Sequence, residues 1–497
     1  MNFGWQALPL YVVLISVVTA MLIFALGEGR QHVRTALNLG GAILKLVLIM
    51  LMLLAIQSGA SFEFRMPLLP GLDLVLHADR LTMLFATLSA LLWLITTVYA
   101  IGYLEQSPNR ARFFGFFSLC VAATMGVASA GNLFTFFIFY ELLTLATWPL
   151  VVHRGTPEAV AAGRLYLAYT LIGGVLLLIG LIWLHALAGG SDFIVGGSLA
   201  PLAAGNETTL RAIFVLFMLG FGVKAALLPL HSWLPRAMVA PAPVSALLHA
   251  VAVVKAGAFG LVRLVQDVFG FDLAASLGLT DLLAGLAATT VIYGSVLALR
   301  QSDLKRRLAF STVSQVSYIA LGVATGGVLA TIGGLVHLVH QGLTKITLFF
   351  CAGNYAEGLG VHSVEELDGL GQRMPVTSVC FTLGAFGMIG IPPLAGFVTK
   401  WYLGAGAAAS GAPWIIAVLV ASTLLNAAYF LPLVHRLWFR PLPDAMAKRE
   451  LAITGGRMQA LVGPTIVVAA MALLAGLFAG TPGSPLFWVI RMVGGEP

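Results

Sequence analysis

The sequence predicts an all-α polytopic membrane protein with about 14 transmembrane helices, each near the roughly 20 residues that a bilayer requires. Three observations carry that prediction. Hydrophobic residues make up 59% of the 497 residues and charged residues 9%, and mean hydropathy is +0.97. A soluble chain of that length would lack the polar surface it needs. Apolar runs of transmembrane length recur from one end to the other. Those runs lack the period-two alternation of a transmembrane barrel.

In order, the expected spans centre near Ser16, Ile49, Leu91, Ala122, Leu142, Val175, Met218, Val254, Thr289, Ser317, Val339, Phe386, Val420 and Ala469. No basic region or evident cleavage site accompanies the first run, so it is expected to be a retained helix. An even number of spans puts both termini on one side. Arg30 and Arg34, Arg110 and Arg112, Arg154 and Arg164, Arg236, the group Arg300, Lys305, Arg306 and Arg307, Arg373, and the stretch Arg436 to Arg457 then share one side. The opposite loops hold chiefly Arg65, Arg211, Arg263 and Arg491. The positive-inside rule makes the rich side cytoplasmic, and both termini are expected on the outer face of a bacterial plasma membrane. The +7 formal charge therefore reads as a topology signal and not as a nucleic-acid surface. No loop resembles a nucleotide- or metal-binding fold, so residues 1–497 read as one transmembrane domain. Cys120, Cys351 and Cys380 lie in apolar spans with neither metal nor disulfide spacing, and they read as packing residues. No cofactor and no metal is expected.

The informative residues are charges inside the spans, where they are costly and usually functional. Glu141 is the only acid in its span. Lys224 lies inside the apolar run from Phe214 to Leu230, shortly before Pro229. A lysine beside a broken helix marks an ion site near mid-membrane; the plainer alternative is a side chain snorkelling to the surface. Glu141 is the economical partner for Lys224. A pair whose separation changes is a proton switch, and the alternative is a static packing pair. His249 and Lys255 share the next span, with Ser245 one turn from His249. Ser311, Ser314, Gln315 and Tyr318 form a polar stripe that either holds water or bonds between helices. His337, Gln341 and Lys345 line one helix face, with His340 on its edge. Two histidines without a third ligand favour a proton relay over a metal. Lys400 follows Pro392-Pro393, again with snorkelling as the alternative.

Lys224 with Pro229, and Lys400 with Pro392-Pro393, form a lysine and a helix breaker in each half in reversed order, the pattern of inverted-repeat transporters. Lys45 stands apart and reads as a contact for a partner subunit. Asp79-Arg80 reads as a helix end.

Several runs then carry a resemblance. They are Gly131-Asn-Leu-Phe-Thr-Phe-Phe-Ile-Phe-Tyr-Glu141, Lys224 to Pro243, Ser302-Asp-Leu-Lys-Arg-Arg-Leu-Ala-Phe-Ser-Thr-Val-Ser-Gln315, His337 to Gly353, and Gly390-Ile-Pro-Pro-Leu-Ala-Gly-Phe-Val-Thr-Lys400. The chain resembles the antiporter-like subunits of respiratory complex I, membrane-bound hydrogenases and Mrp-type cation/proton antiporters, over nearly its whole length. The resemblance implies two inverted five-helix repeats, spans 4–8 (113–265) and 9–13 (279–437), with broken helices 7 and 12. It implies an ion pair of Glu141 and Lys224, and an axis of Lys255, His249, His337, His340 and Lys345 ending at Lys400. The stretch Tyr140-Glu-Leu-Leu-Thr-Leu-Ala-Thr-Trp-Pro-Leu-Val151 looks most like the D-type Mrp subunits, although Pro149 departs from many members. The short tail after the last span fits a subtype without a lateral helix or further C-terminal domains. Implied partners are other membrane subunits, including a second antiporter-like subunit, with the lipid bilayer, protons and sodium, and no nucleic acid. Whether the assembly is an antiporter or an enzyme, a complex I-like or hydrogenase-like redox translocase, stays open, because the chain shows no redox site.

Overall fold

Long apolar helices follow one another from Leu8 to Leu477 in the computed structural model, which describes residues 3–494. Thirteen of these helices are long and apolar enough to cross a membrane. They are Leu8–Leu26, Gln31–Gln57, Arg80–Tyr103, Arg110–Ala128, Leu133–Val151, Pro157–Ala188, Glu207–Ala225, Ala242–Val268, Leu279–Leu299, Leu304–Thr325, Gly327–Leu359, Trp414–Phe439 and Gly455–Leu477. Thirteen of the fourteen expected span centres each fall in one of these helices. The remaining one, expected near Phe386, is a pair of short helices, Pro375–Ile389 and Ala395–Ala409. Gly390, Pro392 and Pro393 part the two, since proline lacks the backbone donor that would carry the helix on.

Local sequence sets several helix starts. The Asn132 side chain accepts from the Thr135 N–H at 2.7 Å, Thr156 accepts from Ala159 ahead of Pro157, and Asp303 accepts from Arg306 at 2.7 Å. Each satisfies a donor that a helix N-terminus leaves without a partner. Pro149 sits in the last turn of Leu133–Val151. There it withholds the N–H that the Leu145 carbonyl would otherwise accept.

Three expectations need correction. The chain is not all helix: between the second and third spans lies an antiparallel hairpin, Phe62–Leu69 with Leu72–Ala78, turning at Pro70-Gly71. Its short alternating pattern was hidden among longer apolar runs. The eighth span is interrupted: Ala242–Ala250 and Val253–Arg263 are separate helices joined by Val251 and Ala252. Arg263 is not a loop residue. It is 3% exposed, lies at a π-helical turn, and pairs with Asp79 at 2.7 Å and Asp267 at 2.6 Å.

The chain forms two units. The first runs up to Leu94 and adds Asn109–Trp233 and Val251–Leu286; the second holds Ile95–Pro108, Leu234–Ala250 and the chain from Ala287. The break at Val251-Ala252 is also the boundary at which the eighth span passes from one unit to the other.

Candidate functional site

In the first unit, Lys224 is fully buried in the last turn of Glu207–Ala225. A cation there faces the partial negative charge of a helix C-terminus. The helix stops because Ala226 turns left-handed, at φ 57°, and Pro229 follows. The freed carbonyls are not left bare. The Leu227 N–H donates to the Gly222 carbonyl at 2.9 Å, and the Trp233 indole N–H donates to that of Val223 at 2.7 Å. Small residues bring neighbouring backbones close. A Cβ on Gly220 would stand 2.8 Å from the Gly173 carbonyl oxygen. One on Gly257 would stand 2.7 Å from the Phe221 carbonyl oxygen and 2.8 Å from the Lys224 carbonyl carbon. Lys224 is thus fixed by glycine contacts on two sides, as in other membrane helix packings.

The amine of Lys224 donates to the Tyr140 carbonyl and lies 3.3 Å from the centre of the Tyr140 ring. Sequence reasoning assigned Tyr140 no role; its only signal was its place beside Glu141. The expected direct ion pair is not formed: among the described residues Lys224 and Glu141 make no salt bridge, and the buried Glu141 Oε1 has no hydrogen-bonding partner. Gly174 makes the space that Glu141 occupies, since a Cβ there would lie 2.5 Å from Oε1. Lys255, also fully buried, has no hydrogen-bonding partner for Nζ among the described residues.

The second unit holds the other predicted residues. His249 is fully buried, its ring stacked on Phe349 at 4.6 Å, and neither ring nitrogen has a hydrogen-bonding partner among the described residues. His337, His340, Gln341 and Lys345 are all buried on Gly327–Leu359. His340 Nδ1 meets Thr399 Oγ1 at 3.0 Å, and the His337 ring lies 5.2 Å from Tyr318. Lys345 donates to Ser311 Oγ and, at 3.2 Å, to the Leu308 carbonyl. Three residues of the polar stripe therefore serve interhelical bonding, while Gln315 Nε2 has no hydrogen-bonding partner among the described residues. Ser311 takes Lys345, Ser314 meets Ser295 at 2.8 Å, and Tyr318 donates to Ser422 at 2.8 Å. Lys400 does not reach outward. It donates to the Ile389 carbonyl at 2.7 Å, where the short Pro375–Ile389 helix ends, and to Thr423 Oγ1 at 2.8 Å. Thr423 was not foreseen, because nothing in sequence links it to Lys400.

Lys45 also departs from expectation. It is 2% exposed, donates to Ser16 Oγ at 3.3 Å and lies 5.7 Å from the Trp93 ring. It faces neighbouring helices of its own unit. Asp79 does mark a helix end, as expected, by accepting from the Thr82 N–H at 2.6 Å.

Across both units, the arrangement is a set of buried amines and imidazoles whose fixed neighbours are mostly carbonyls, hydroxyls and rings. Amines and imidazoles take up and release protons, unlike guanidinium groups. Known proteins resemble this chain over most of its length. A family profile described as NADH:quinone oxidoreductase/Mrp antiporter, TM, matches residues 130–437. A second, described as NADH-Ubiquinone oxidoreductase (complex I), chain 5 N-terminus, matches residues 71–114. NADH-quinone oxidoreductase subunit N of Desulforudis audaxviator is 35% identical over 82% of this chain and 82% of its own length. The D-type Na(+)/H(+) antiporter subunit of Bacillus subtilis is 29% identical over 81% of this chain and 80% of its own. Among solved structures, a chain of the Mrp complex from Dietzia sp. shares the fold at TM-score 0.85 and 23% identity, covering 99% of this chain and 98% of that one.

Proposed function

Because the chain belongs to the NADH:quinone oxidoreductase/Mrp antiporter family of transmembrane subunits, we propose that it moves protons as one subunit of a larger membrane complex. In this reading the complex is a Mrp-type cation/proton antiporter that exchanges sodium for protons. The chain fills the D-type role there, beside a second antiporter-like subunit. Both termini lie on the outer face of a bacterial plasma membrane, and 113–265 and 279–437 act as inverted repeats. Protons follow the series Glu141, Lys224 and Lys255, then His249, His337, His340 and Lys345, and leave near Lys400.

The observation that carries this reading is that Lys224 and Lys400, each beside a helix interruption, bind main-chain carbonyls instead of carboxylates. Neutral acceptors orient an amine without locking its charge in place, as a buried ion pair does. An opposite charge brought within about 4–6 Å favours the protonated amine. Swinging Glu141 toward Lys224 therefore loads the lysine, and withdrawing it lets the proton pass on. Gly174 gives the carboxylate the space it holds before that swing.

Lys224→Ala, in a complex that still assembles, is expected to slow proton-coupled transport in vesicles by about 100-fold, the low end for a positioned proton-transfer group. Unchanged transport would overturn the reading.

A second reading places the chain in a redox-driven complex, where it pumps protons and partner proteins carry the electrons. The higher identity to the quinone oxidoreductase subunit, 35% against 29% for the antiporter subunit, favours it.

A further inference from the structure

Lys45 is a buried lysine that the proton series above does not use. It lies on the inward face of Gln31–Gln57 together with Arg34 and Asn38, at 2% and 5% exposure. From Arg34 to Lys45 is 11 positions, about 16 Å along a helix. Arg34 marks the ionic end of that face. It lies 3.7 Å from Glu28, whose carboxylate accepts the N–H groups of Arg110 and Ala111 at the start of the Arg110–Ala128 helix. Asn38 comes next, accepting from Ser118 at 3.4 Å. Lys45 is last, with Ser16 at 3.3 Å and the Trp93 ring at 5.7 Å. The charged groups on the helices around it, Arg34, Arg80, Arg110 and Arg112, stand at helix ends; the polar groups at its own depth are hydroxyls. Arg34, Asn38, Lys45, Ser16 and Ser118 all fall outside the two stretches that match the family profiles.

We propose that Lys45 is a proton-exchanging site of its own, reached by water along the Arg34–Asn38–Ser118 face and separate from the Lys224 and Lys255 sites. Its amine takes a proton from water entering at the Arg34 end and returns it to the interior of the first unit. A cost this large in an outer helix is retained for use, and a purely structural strap to Ser16 needs no titratable group. For its transport part the inference rests on the proposed function.

The test uses the assembled complex in vesicles. K45M keeps the side-chain stem without the amine, and K45R keeps charge and donors but holds its proton permanently. Both are expected to lower proton-coupled transport several-fold with assembly intact. K45C is expected to react with a water-borne, ammonium-bearing methanethiosulfonate, against wild type with its three buried cysteines as the control. Full transport by K45R would mean a charged strap, and an unlabelled K45C would mean no water path; either overturns the proposal. Full transport by K45M overturns it as well. Failure of the proposed function reads differently: the wild type then shows no proton-coupled transport, while K45C labelling still reports water access.

Discussion

Two glycines beside the first-unit site differ in what a methyl group would strike. At Gly174 the nearest atoms are the Glu141 carboxylate, the movable end of a flexible side chain. At Gly257 they are main-chain atoms of Phe221, Lys224 and Ala225. Gly174→Ala is therefore expected to displace the carboxylate and depress proton-coupled transport, with a stability change within about 1 kcal/mol. Gly257→Ala is expected to cost about 1–3 kcal/mol, because two backbones must separate. Thermal unfolding of the purified complex, beside vesicle transport, checks both. At this scale Glu141, Lys224, His249, Lys255, His337, His340, Lys345 and Lys400, all named from sequence, stand in helices, and most are buried. It did not reveal their partners. Tyr140 and Thr423 reach the lysines through tertiary packing. A hydroxyl or a carbonyl leaves no mark in composition that says what it will bind.

At the scale of helices, the breaks after Ala225 and after Ile389 were legible because proline and glycine announce them. The break at Val251-Ala252 was not, because neither residue is a breaker and the run is apolar throughout. The ion cluster at the end of that span was hidden for a related reason: Asp79 and Arg263 are 184 positions apart. Asp79 binds Arg263 twice, at 2.7 and 3.0 Å, and caps the Arg80–Tyr103 helix. Burial would push its carboxyl up, but Arg263 and the Thr82 bonds hold it at about 2, below the ordinary 3.8. A carboxyl depressed on folding contributes stability above its ordinary value, and that contribution is lost as pH falls through the folded value. Asp79→Asn is therefore expected to destabilise by about 1–2 kcal/mol at neutral pH, allowing for its partial exposure. The gap between variant and wild type is expected to shrink between about pH 4 and pH 2. Detergent-solubilised protein melted across that range tests it, and a gap that does not change with pH would show that the carboxylate charge contributes nothing.

For the whole molecule, the force behind the proposed proton movement distinguishes the two readings. Many large apolar side chains stay exposed on the helices, including Leu171, Ile172, Val175, Ile179 and Ile182 on Pro157–Ala188 and Val420 and Leu424 on Trp414–Phe439. Lipid and neighbouring subunits cover such faces in a membrane complex. A mild-detergent pull-down with metal analysis and mass spectrometry separates the two functional readings. The antiporter reading expects small membrane proteins, a second antiporter-like chain and no iron. Iron–sulfur partners in stoichiometric amount would replace it with the redox-driven one.

Composition and hydropathy by themselves determined that this is a multi-pass helical membrane protein, where each span lies, and which titratable residues sit inside them. The reason is energetic: a bilayer requires long apolar runs with internally bonded backbones, and it makes each interior charge conspicuous. Only the tertiary structure decided which neighbours those charges meet. It bonded Lys224 to the Tyr140 carbonyl, tied Lys400 back to Ile389, turned Lys45 inward and buried Arg263 between two aspartates. Such pairings join residues far apart in the chain through the rotation of each helix about its axis, and apolar composition does not encode that rotation.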